Sequence, residues 1–228
     1  MKYEEIIKKL QSMKNPEAVA GMARYGINSS NNLGISIYKL RPLAKEIGIN
    51  QELSLQLWDS GIHDARLLAV FVADPTKITE QQMDSWVNDF DSWDICDQAC
   101  TSLFDKTKYA RKKIFEWAER EEEFVKRAAF SMIAGLAVHD KKASDEQFIE
   151  FFSLIKKHSV DERNYVKKAI NWALRNIGKK NISLNKVSIQ LAEKLVKFDA
   201  KAAQWIARDA VRELKSEKVQ KRLKKKKG

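Results

Sequence analysis

An all-helical fold is predicted for this chain, and three features of the sequence support the prediction. Apolar residues recur with the period of an α-helix throughout, and no segment alternates with the period of a strand over a strand's length. Only eight glycines and three prolines occur, which suits short turns between helices. Stretches of the chain also repeat one another, which indicates a stack of similar helical units.

Signals for helix starts and helix ends divide the chain into about twelve helices. Capping boxes at Thr79–Gln82 and Ser144–Gln147 predict two helix starts. Pro42 follows Ser36 by six residues, too deep for a first turn, so we expect that helix to start late or to kink. Candidate ends are the polar loop Asn28–Asn32 and the residues Gly26, Gly48, Gly61, Pro75 and Gly178.

The internal repeats specify the kind of helical stack. Arg120–Ala128 aligns with Asp161–Ala169, an offset of 41 residues, and Lys168–Arg175 aligns with Lys201–Arg208, an offset of 33. Repetition at such periods, with two helices per unit, is typical of a HEAT-like α-solenoid. One helix pair cannot bury its apolar face alone, so stacking makes a continuous core and a curved surface. We therefore predict a curved solenoid with a basic concave groove.

The net charge of +11 is unevenly distributed along the chain. Residues 215–228 contain eight cations and Glu217, a net charge of +7, which leaves +4 on residues 1–214. We predict one folded domain over residues 1–214 and a lysine-rich, disordered tail over residues 215–228. Such tails bind nucleic acid non-specifically or remain solvated.

Composition argues against several functional classes. No apolar run of about 18 residues occurs, so no membrane span is predicted. Acidic residues near the N-terminus argue against a signal peptide. Cys96 and Cys100, four residues apart, fit neither a disulfide framework nor a Cys-x-x-Cys zinc site, and the pair favours a reducing cytoplasm. Because His63, His139 and His158 are scattered, we predict no metal and no cofactor.

Three short segments contain the residues that could perform chemistry. They are residues 91–97, 124–129 and 167–175. Read as a helix, the first segment places Trp93 and Asp97 one turn apart on the same face, which continues as an apolar stripe. A carboxylate in such a stripe costs free energy unless something pairs with it. The second segment adds Arg127 and the third adds Trp172.

In this order and spacing, together with Met22-Ala-Arg-Tyr25 near the start, these segments resemble the AlkD family of alkylpurine DNA glycosylases. The resemblance runs from about Asn15 to about Leu214. It implies an N-glycosylase whose partner is double-stranded DNA containing N3- or N7-alkylated purines. It also implies that the enzyme cleaves without flipping the base into a pocket, unlike most enzymes that act on bases.

The resemblance further implies roles for five residues. Asp97 is the catalytic carboxylate, which stabilises an oxocarbenium-like sugar and orients the attacking water. Trp93 and Trp172 form the walls of the cleft beside the deoxyribose. Arg127 contacts the DNA backbone, and Tyr25 lies near the DNA-facing end. Because stacked repeats bring distant helices together, we expect Trp93, Asp97, Arg127 and Trp172 to converge on one groove.

The repeats also align a set of cations that could bind phosphates. These predicted DNA-binding residues are Lys168, Arg175, Arg208 and Arg212. Tryptophans also occur along this strip. We nevertheless expect Trp205 to be a core residue, because most helical aromatics are buried. Trp58, Trp86 and Trp117 have apolar neighbours at helical spacing and are also expected in the core. Asp94 is expected to face another helix or solvent.

Two other readings remain open from the sequence. A solenoid keeps its groove when catalysis is lost, so the chain could bind DNA or RNA structures without cleaving them. HEAT-type stacks also serve as scaffolds for protein partners. In the non-catalytic readings Asp97 would be a buried partner of Arg127. The presence of Asp97 favours the glycosylase over the non-catalytic binder, whereas an acidic concave surface would favour the scaffold. We expect a monomer.

Overall fold

The computed structural model describes residues 1–225, and over that range the protein is all-helical, as predicted. The helices fall into two compact units that divide after Tyr109. In the first unit they are α1 (Tyr3–Ser12), α2 (Pro16–Ala23), α3 (Ile37–Ile47), α4 (Gln51–Asp59), α5 (His63–Val72), α6 (Glu80–Asn88) and α7 (Trp93–Ser102), followed by a 3-10 turn at Phe104–Lys106. In the second unit they are α8 (Ala110–Ala118), α9 (Glu123–His139), α10 (Asp145–Ile149), α11 (Phe151–His158), α12 (Asn164–Gly178), α13 (Ile182–Leu195), α14 (Lys201–Leu214) and α15 (Glu217–Lys225).

Most helix boundaries follow the local signals in the sequence. Ser144 and Gln147 form the predicted capping box of α10, and the Thr79 side chain accepts a hydrogen bond from the Gln82 amide at 3.0 Å to start α6. Gly48 ends α3 with a φ of +75°, which costs glycine little. The helix with Pro42 inside it already begins at Ile37, so the predicted late start is wrong.

The repeat alignment of the second unit corresponds to real neighbours. The aligned segments lie at the start of α9, along α12 and at the start of α14, and α12 packs against both of the others. Helix α9 is buried along its length from Val125 to Ala137. The first unit shows the same arrangement, because α5 packs between α3 and α7. Each unit therefore stacks its alternate helices side by side.

Large aromatic side chains fill the core of the first unit. The rings of Trp58 and Trp86 stack with centroids 4.0 Å apart, and the rings of Phe90 and Phe104 pack around them. Trp117 is fully buried in the second unit, so the core positions predicted for these three tryptophans are confirmed. The prediction for Trp205 is wrong: its side chain is 41% exposed on α14.

The prediction of a disordered tail from residue 215 is also wrong over the part that the structure describes. Residues 217–225 form α15, which buries Val219 and Leu223 one turn apart. The Gln220 side chain donates to the Leu214 carbonyl at 2.7 Å and to Asn185 Oδ1 at 3.1 Å. The apolar pair and these hydrogen bonds dock the helix onto the second unit. Residues 226–228 of the predicted tail lie outside the described part of the chain.

No helix within residues 1–225 is both long enough and apolar enough to cross a bilayer.

Leu223→Ala tests whether α15 is docked in solution. Truncating a buried leucine removes apolar contacts and leaves a cavity, and we expect a loss of about 2 to 3 kcal/mol in the free energy of unfolding. Leu55→Ala, at a leucine that is 39% exposed on α4, is the matched control and should cost much less. Urea denaturation followed by circular dichroism measures both. Equal stability of Leu223→Ala and the parent protein would mean that α15 is detached.

Candidate functional site

The start of α7 is fixed by a buried ion pair. Ser92 is the N-cap residue, and its hydroxyl donates to Asp94 Oδ1 at 2.8 Å. The other carboxylate oxygen, Asp94 Oδ2, lies 2.9 Å from His63 Nε2 at the start of α5. The His63 side chain is only 3% exposed. Asp94 therefore faces another helix, one of the two positions expected for it, and it joins α7 to α5.

This environment changes the protonation of both partners. Burial by itself would lower the pKa of His63, but the hydrogen bond to Asp94 and the charges of Asp94, Asp64 and Asp91 outweigh burial and raise that pKa. Burial by itself would raise the pKa of Asp94, but the hydrogen bond and charge of His63, with the Ser92 hydroxyl, lower it. Each partner thus favours the charged form of the other.

A second buried carboxylate ties the polar loop before α3 to the same region. Asp64 Oδ2 accepts the amide of Leu33 at 2.6 Å, and Asp64 Oδ1 accepts the amide of Ile35 at 2.7 Å. The His63 amide donates to the carbonyl of Asn31, which has a φ of +53°, a conformation that asparagine tolerates better than most residues. The loop and the start of α5 therefore form one hydrogen-bonded unit.

Trp93 is the first residue of α7, and its indole is held from the side of the N-terminal helices. Its Nε1 donates to the backbone carbonyl of Tyr25 at 2.9 Å. The Trp93 side chain is half-buried, whereas Tyr25 is 76% exposed. Asn28 adds a further link, because its side-chain amide donates to Asp91 Oδ2 at 2.7 Å. The segment around Tyr25 and the start of α7 therefore form one surface.

Asp97 lies one turn after Trp93 and is half-buried. Cys96 and Cys100 beside it are fully buried thiols, so the prediction of Cys96 as a small core residue is confirmed. Burial raises the pKa of Cys100 well above its usual value, and Cys96 and the charge of Asp97 raise it further. Cys100 consequently remains a thiol, and among these three side chains the Asp97 carboxylate is the one suited to electrostatic chemistry.

A cation that contacts DNA is expected to be exposed, but Arg127 is not. Its side chain lies in the buried stretch of α9, and the residue is 6% exposed. Arg127 Nη1 donates to the carbonyl of Tyr165, in the first turn of α12, at 2.6 Å. Arg127 therefore links the starts of two aligned helices. Lys168, which the repeat aligns with Arg127, is exposed on α12.

Carboxylates from α14 partly neutralise the basic strip predicted on α12. Arg175 forms ion pairs with Glu213 and, at 3.7 Å, with Asp209, while Lys179 Nζ lies 2.8 Å from Glu213 Oε1. Burial alone would raise the pKa of Glu213, but the hydrogen bond from Lys179 and the charges of Arg175 and Lys179 lower it. Trp172, on the same helix, is half-buried.

Both cations predicted on α14 are exposed, as Lys168 is on α12. Arg208 is exposed and donates to Gln204 Oε1 at 3.3 Å, and Arg212 is exposed although it pairs with Asp209. Trp205 lies between Lys201 and Arg208 on the helix surface, and Lys167 Nζ lies 5.8 Å from the centroid of its ring. The strip thus contains an exposed indole among cations.

The structure places the predicted site residues in two groups. Tyr25, Trp93 and Asp97 belong to the first unit, where a hydrogen bond joins Tyr25 to Trp93. The second unit holds Arg127, Lys168, Trp172, Arg175, Arg208 and Arg212. Convergence of the two groups on one groove stays a prediction. The pairing of His63 with Asp94 could not be predicted, since partners 31 residues apart leave no local spacing signal.

No group of three or more histidine, cysteine, aspartate or glutamate side chains within residues 1–225 is arranged to hold a metal ion.

Comparisons with known proteins bear on the family and the fold. A family model described as DNA alkylation repair enzyme matches residues 6–214. An uncharacterised protein of Listeria innocua, Lin0241, is 24% identical over 128 residues, which span 54% of this chain and 57% of that protein. A solved structure, described as "A new family of proteins related to the HEAT-like repeat DNA glycosylases with affinity for branched DNA structures", is 20% identical with a TM-score of 0.77, over 93% of this chain and 95% of that one. The predicted HEAT-like helical repeat fold is confirmed by this likeness.

Asp94→Asn tests the pair that fixes the start of α7. The raised pKa of His63 contributes stability below its unfolded value of about 6.5, and this contribution is lost as pH rises through the folded value. The lowered pKa of Asp94 contributes above about 3.9 and is lost as pH falls through its folded value. We therefore expect Asp94→Asn to cost about 2 kcal/mol at pH 5.5 and less at pH 8.5.

Urea titrations at the two pH values measure this difference, with Asp59→Asn, at an exposed aspartate ending α4, as the control. A cost of Asp94→Asn that is equal at both pH values would mean that His63 stays neutral.

Proposed function

Because this chain belongs to the DNA alkylation repair enzyme family, we propose that it is a DNA N-glycosylase that releases cationic N3- or N7-alkylated purines from double-stranded DNA. The observation that carries the proposal is the placement of Asp97. This carboxylate is partly accessible, one turn from Trp93, on a helix whose first turn is fixed by Ser92 and His63. A fixed charge of this kind is what stabilisation of a developing cation requires.

The reaction follows from the charge of the lesion. Alkylation at N3 or N7 gives the purine a positive charge, and the purine leaves as a neutral base when its bond to C1′ breaks. The positive charge then resides on an oxocarbenium-like sugar. Asp97 stabilises that cation and orients a water molecule, which adds to C1′ and loses a proton. The products are the free base and an abasic site.

The tryptophans assist without reading the base. The indole N–H of Trp93 is already donated to the Tyr25 carbonyl, so its ring offers the deoxyribose mainly an aromatic face. Aromatic faces attract cations, which is useful beside an oxocarbenium. Trp172 is assigned the second aromatic contact with the deoxyribose. Since neither ring needs the base inside a pocket, the lesion can remain stacked in the duplex.

Grip on the duplex is assigned to the cations of the second unit. Lys168, Arg208 and Arg212 are exposed and can each neutralise a phosphate. Arg127 presents only a small part of its surface, because it is buried and hydrogen-bonded to α12. We propose that Arg127 contacts the DNA backbone and also holds the first turn of α12. That helix begins four residues before Lys168 and eight residues before Trp172.

A second candidate function is binding of structured DNA without cleavage. The solved structure described above belongs to a protein family with affinity for branched DNA structures. The observation in this chain that favours the candidate is the exposure of Lys168, Arg208 and Arg212, which can bind phosphates whether or not Asp97 reacts. Release of N7-methylguanine by the parent protein decides between the two candidates.

Asp97→Asn is expected to slow the release of N7-methylguanine by roughly a hundred- to a thousandfold, because the amide keeps the shape but removes the charge. The measurement is a single-turnover assay at saturating protein, with an oligonucleotide duplex carrying one lesion. Asp59→Asn serves as the control that removes an exposed carboxylate. Cleavage by Asp97→Asn at the parent rate would leave Asp97 with a structural role only.

Arg127→Ala should show the opposite signature. Its cation is assigned to the backbone and not to the sugar, so we expect weaker binding to the duplex but a single-turnover rate near that of the parent at saturating protein. Fluorescence anisotropy measures the affinity. Because the Tyr165 carbonyl also loses a donor, thermal unfolding must accompany the assay. Unchanged affinity of a folded Arg127→Ala variant would remove Arg127 from the DNA contact.

A further inference from the structure

A cationic cleft of about 430 Å³ lies in the second unit, at the C-terminal ends of α9 and α12. Ala137 and Val138 form an apolar part of its lining. Its cations come from three separate segments, namely the turn after α9, the end of α12, and α15. They are Lys141, Lys179, Lys180 and Arg222. None of them belongs to the residues assigned above to the glycosylase reaction.

The simplest account of these cations is that they cap the two helix ends. Lys180 Nζ donates to the Asp140 carbonyl, and Arg222 Nη2 donates to the Lys179 carbonyl at 2.8 Å. Carbonyls at a helix end lack partners within the helix, so each such bond is useful to the fold. A guanidinium has several N–H donors, and Arg222 is exposed, so its other N–H groups can reach a ligand.

The charge balance of the cleft favours an anion. Of its four cations, Lys179 is paired with Glu213 at 2.8 Å, and Lys180 Nζ lies 4.5 Å from the centroid of the Phe148 ring. Lys141 and Arg222 are exposed. Helix C-termini carry partial negative charge, which opposes an anion. The described residues that line the cleft, however, include four cations and no carboxylate. The lining therefore suits a phosphate group.

We propose that this cleft binds a phosphodiester of a nucleic-acid backbone, as a contact separate from the reaction site. A polyanion fits better than a small anion because positive charge continues beyond the cleft along α15, where Lys218, Lys221, Lys224 and Lys225 are exposed. The docking of α15 by Val219 and Leu223 holds Arg222 at the cleft. The proposal for this cleft rests on the DNA-binding part of the proposed function and not on base release.

The test is the salt dependence of binding to an undamaged duplex. Each phosphate contact that is lost lowers the slope of log K against log salt by about 0.9 for duplex DNA. We expect Lys141→Gln to lower the slope by about one and Lys141→Gln combined with Arg222→Gln to lower it by about two. The matched control combines Lys156→Gln with Lys194→Gln, at exposed lysines of the same unit outside the cleft lining. The control should retain the parent slope.

Further measurements separate the outcomes. An unchanged slope in Lys141→Gln overturns the proposal, and this single variant alters an exposed side chain, so folding is not at risk. Titration with inorganic phosphate, followed by NMR, identifies the source: chemical shifts at the cleft without any change in the DNA slope would mean a small-anion site and would also overturn it.

Single-turnover base release keeps the two proposals distinguishable. If the cleft variants lower the slope but the parent protein does not release N7-methylguanine, the cleft proposal is supported and the glycosylase proposal is rejected. Normal release with an unchanged slope rejects only the cleft.

Discussion

The buried contact between His63 and Asp94 is the interaction on which the candidate active site depends. It joins the first turn of α7 to the first turn of α5, and the adjacent Asp64 holds the loop that precedes α3. A buried pair of this kind is weak evidence for stability as such, because desolvation opposes the attraction. The contribution of this pair is to the geometry of the site. It sets the direction in which α7 presents Trp93 and Asp97, while the Tyr25 carbonyl fixes the indole from the other side.

Much of the fold could be predicted from sequence because successive helical units repeat the same apolar pattern. The aligned segments of α9, α12 and α14 share apolar spacing, and stacking requires neighbouring helices to share it. The disordered tail was a wrong prediction for a related reason. In a segment dominated by lysine, Val219 and Leu223 form only a single apolar pair at helical spacing, and composition outweighed that signal. The prediction for Trp205 rested on the statistical preference of helical aromatics for the core and not on a predicted contact, and the side chain is exposed.

The site was predictable in its residue types more than in its environment. Trp93 and Asp97 lie one turn apart because helical spacing dictates it. The partners that orient them are distant in sequence: His63 pairs with Asp94, and Tyr25 supplies a backbone carbonyl that carries no signature of its own. Likewise, no local pattern shows that Arg127 is buried against α12, or that Glu213 on α14 reaches Arg175 and Lys179.

Under the function proposed above, Glu213 and Asp209 would affect how fast the protein inspects long stretches of undamaged DNA. Phosphates that approach Arg175 or Lys179 compete with carboxylates already in place, so each contact forms at a smaller net gain. Weaker non-specific contacts shorten the dwell time at every position and make sliding and hopping along the duplex faster. If the protein releases bases as proposed, the same acids would also hasten its departure from the abasic product. A strip built only of unpaired cations would hold the duplex longer, and would examine fewer sites in the same time.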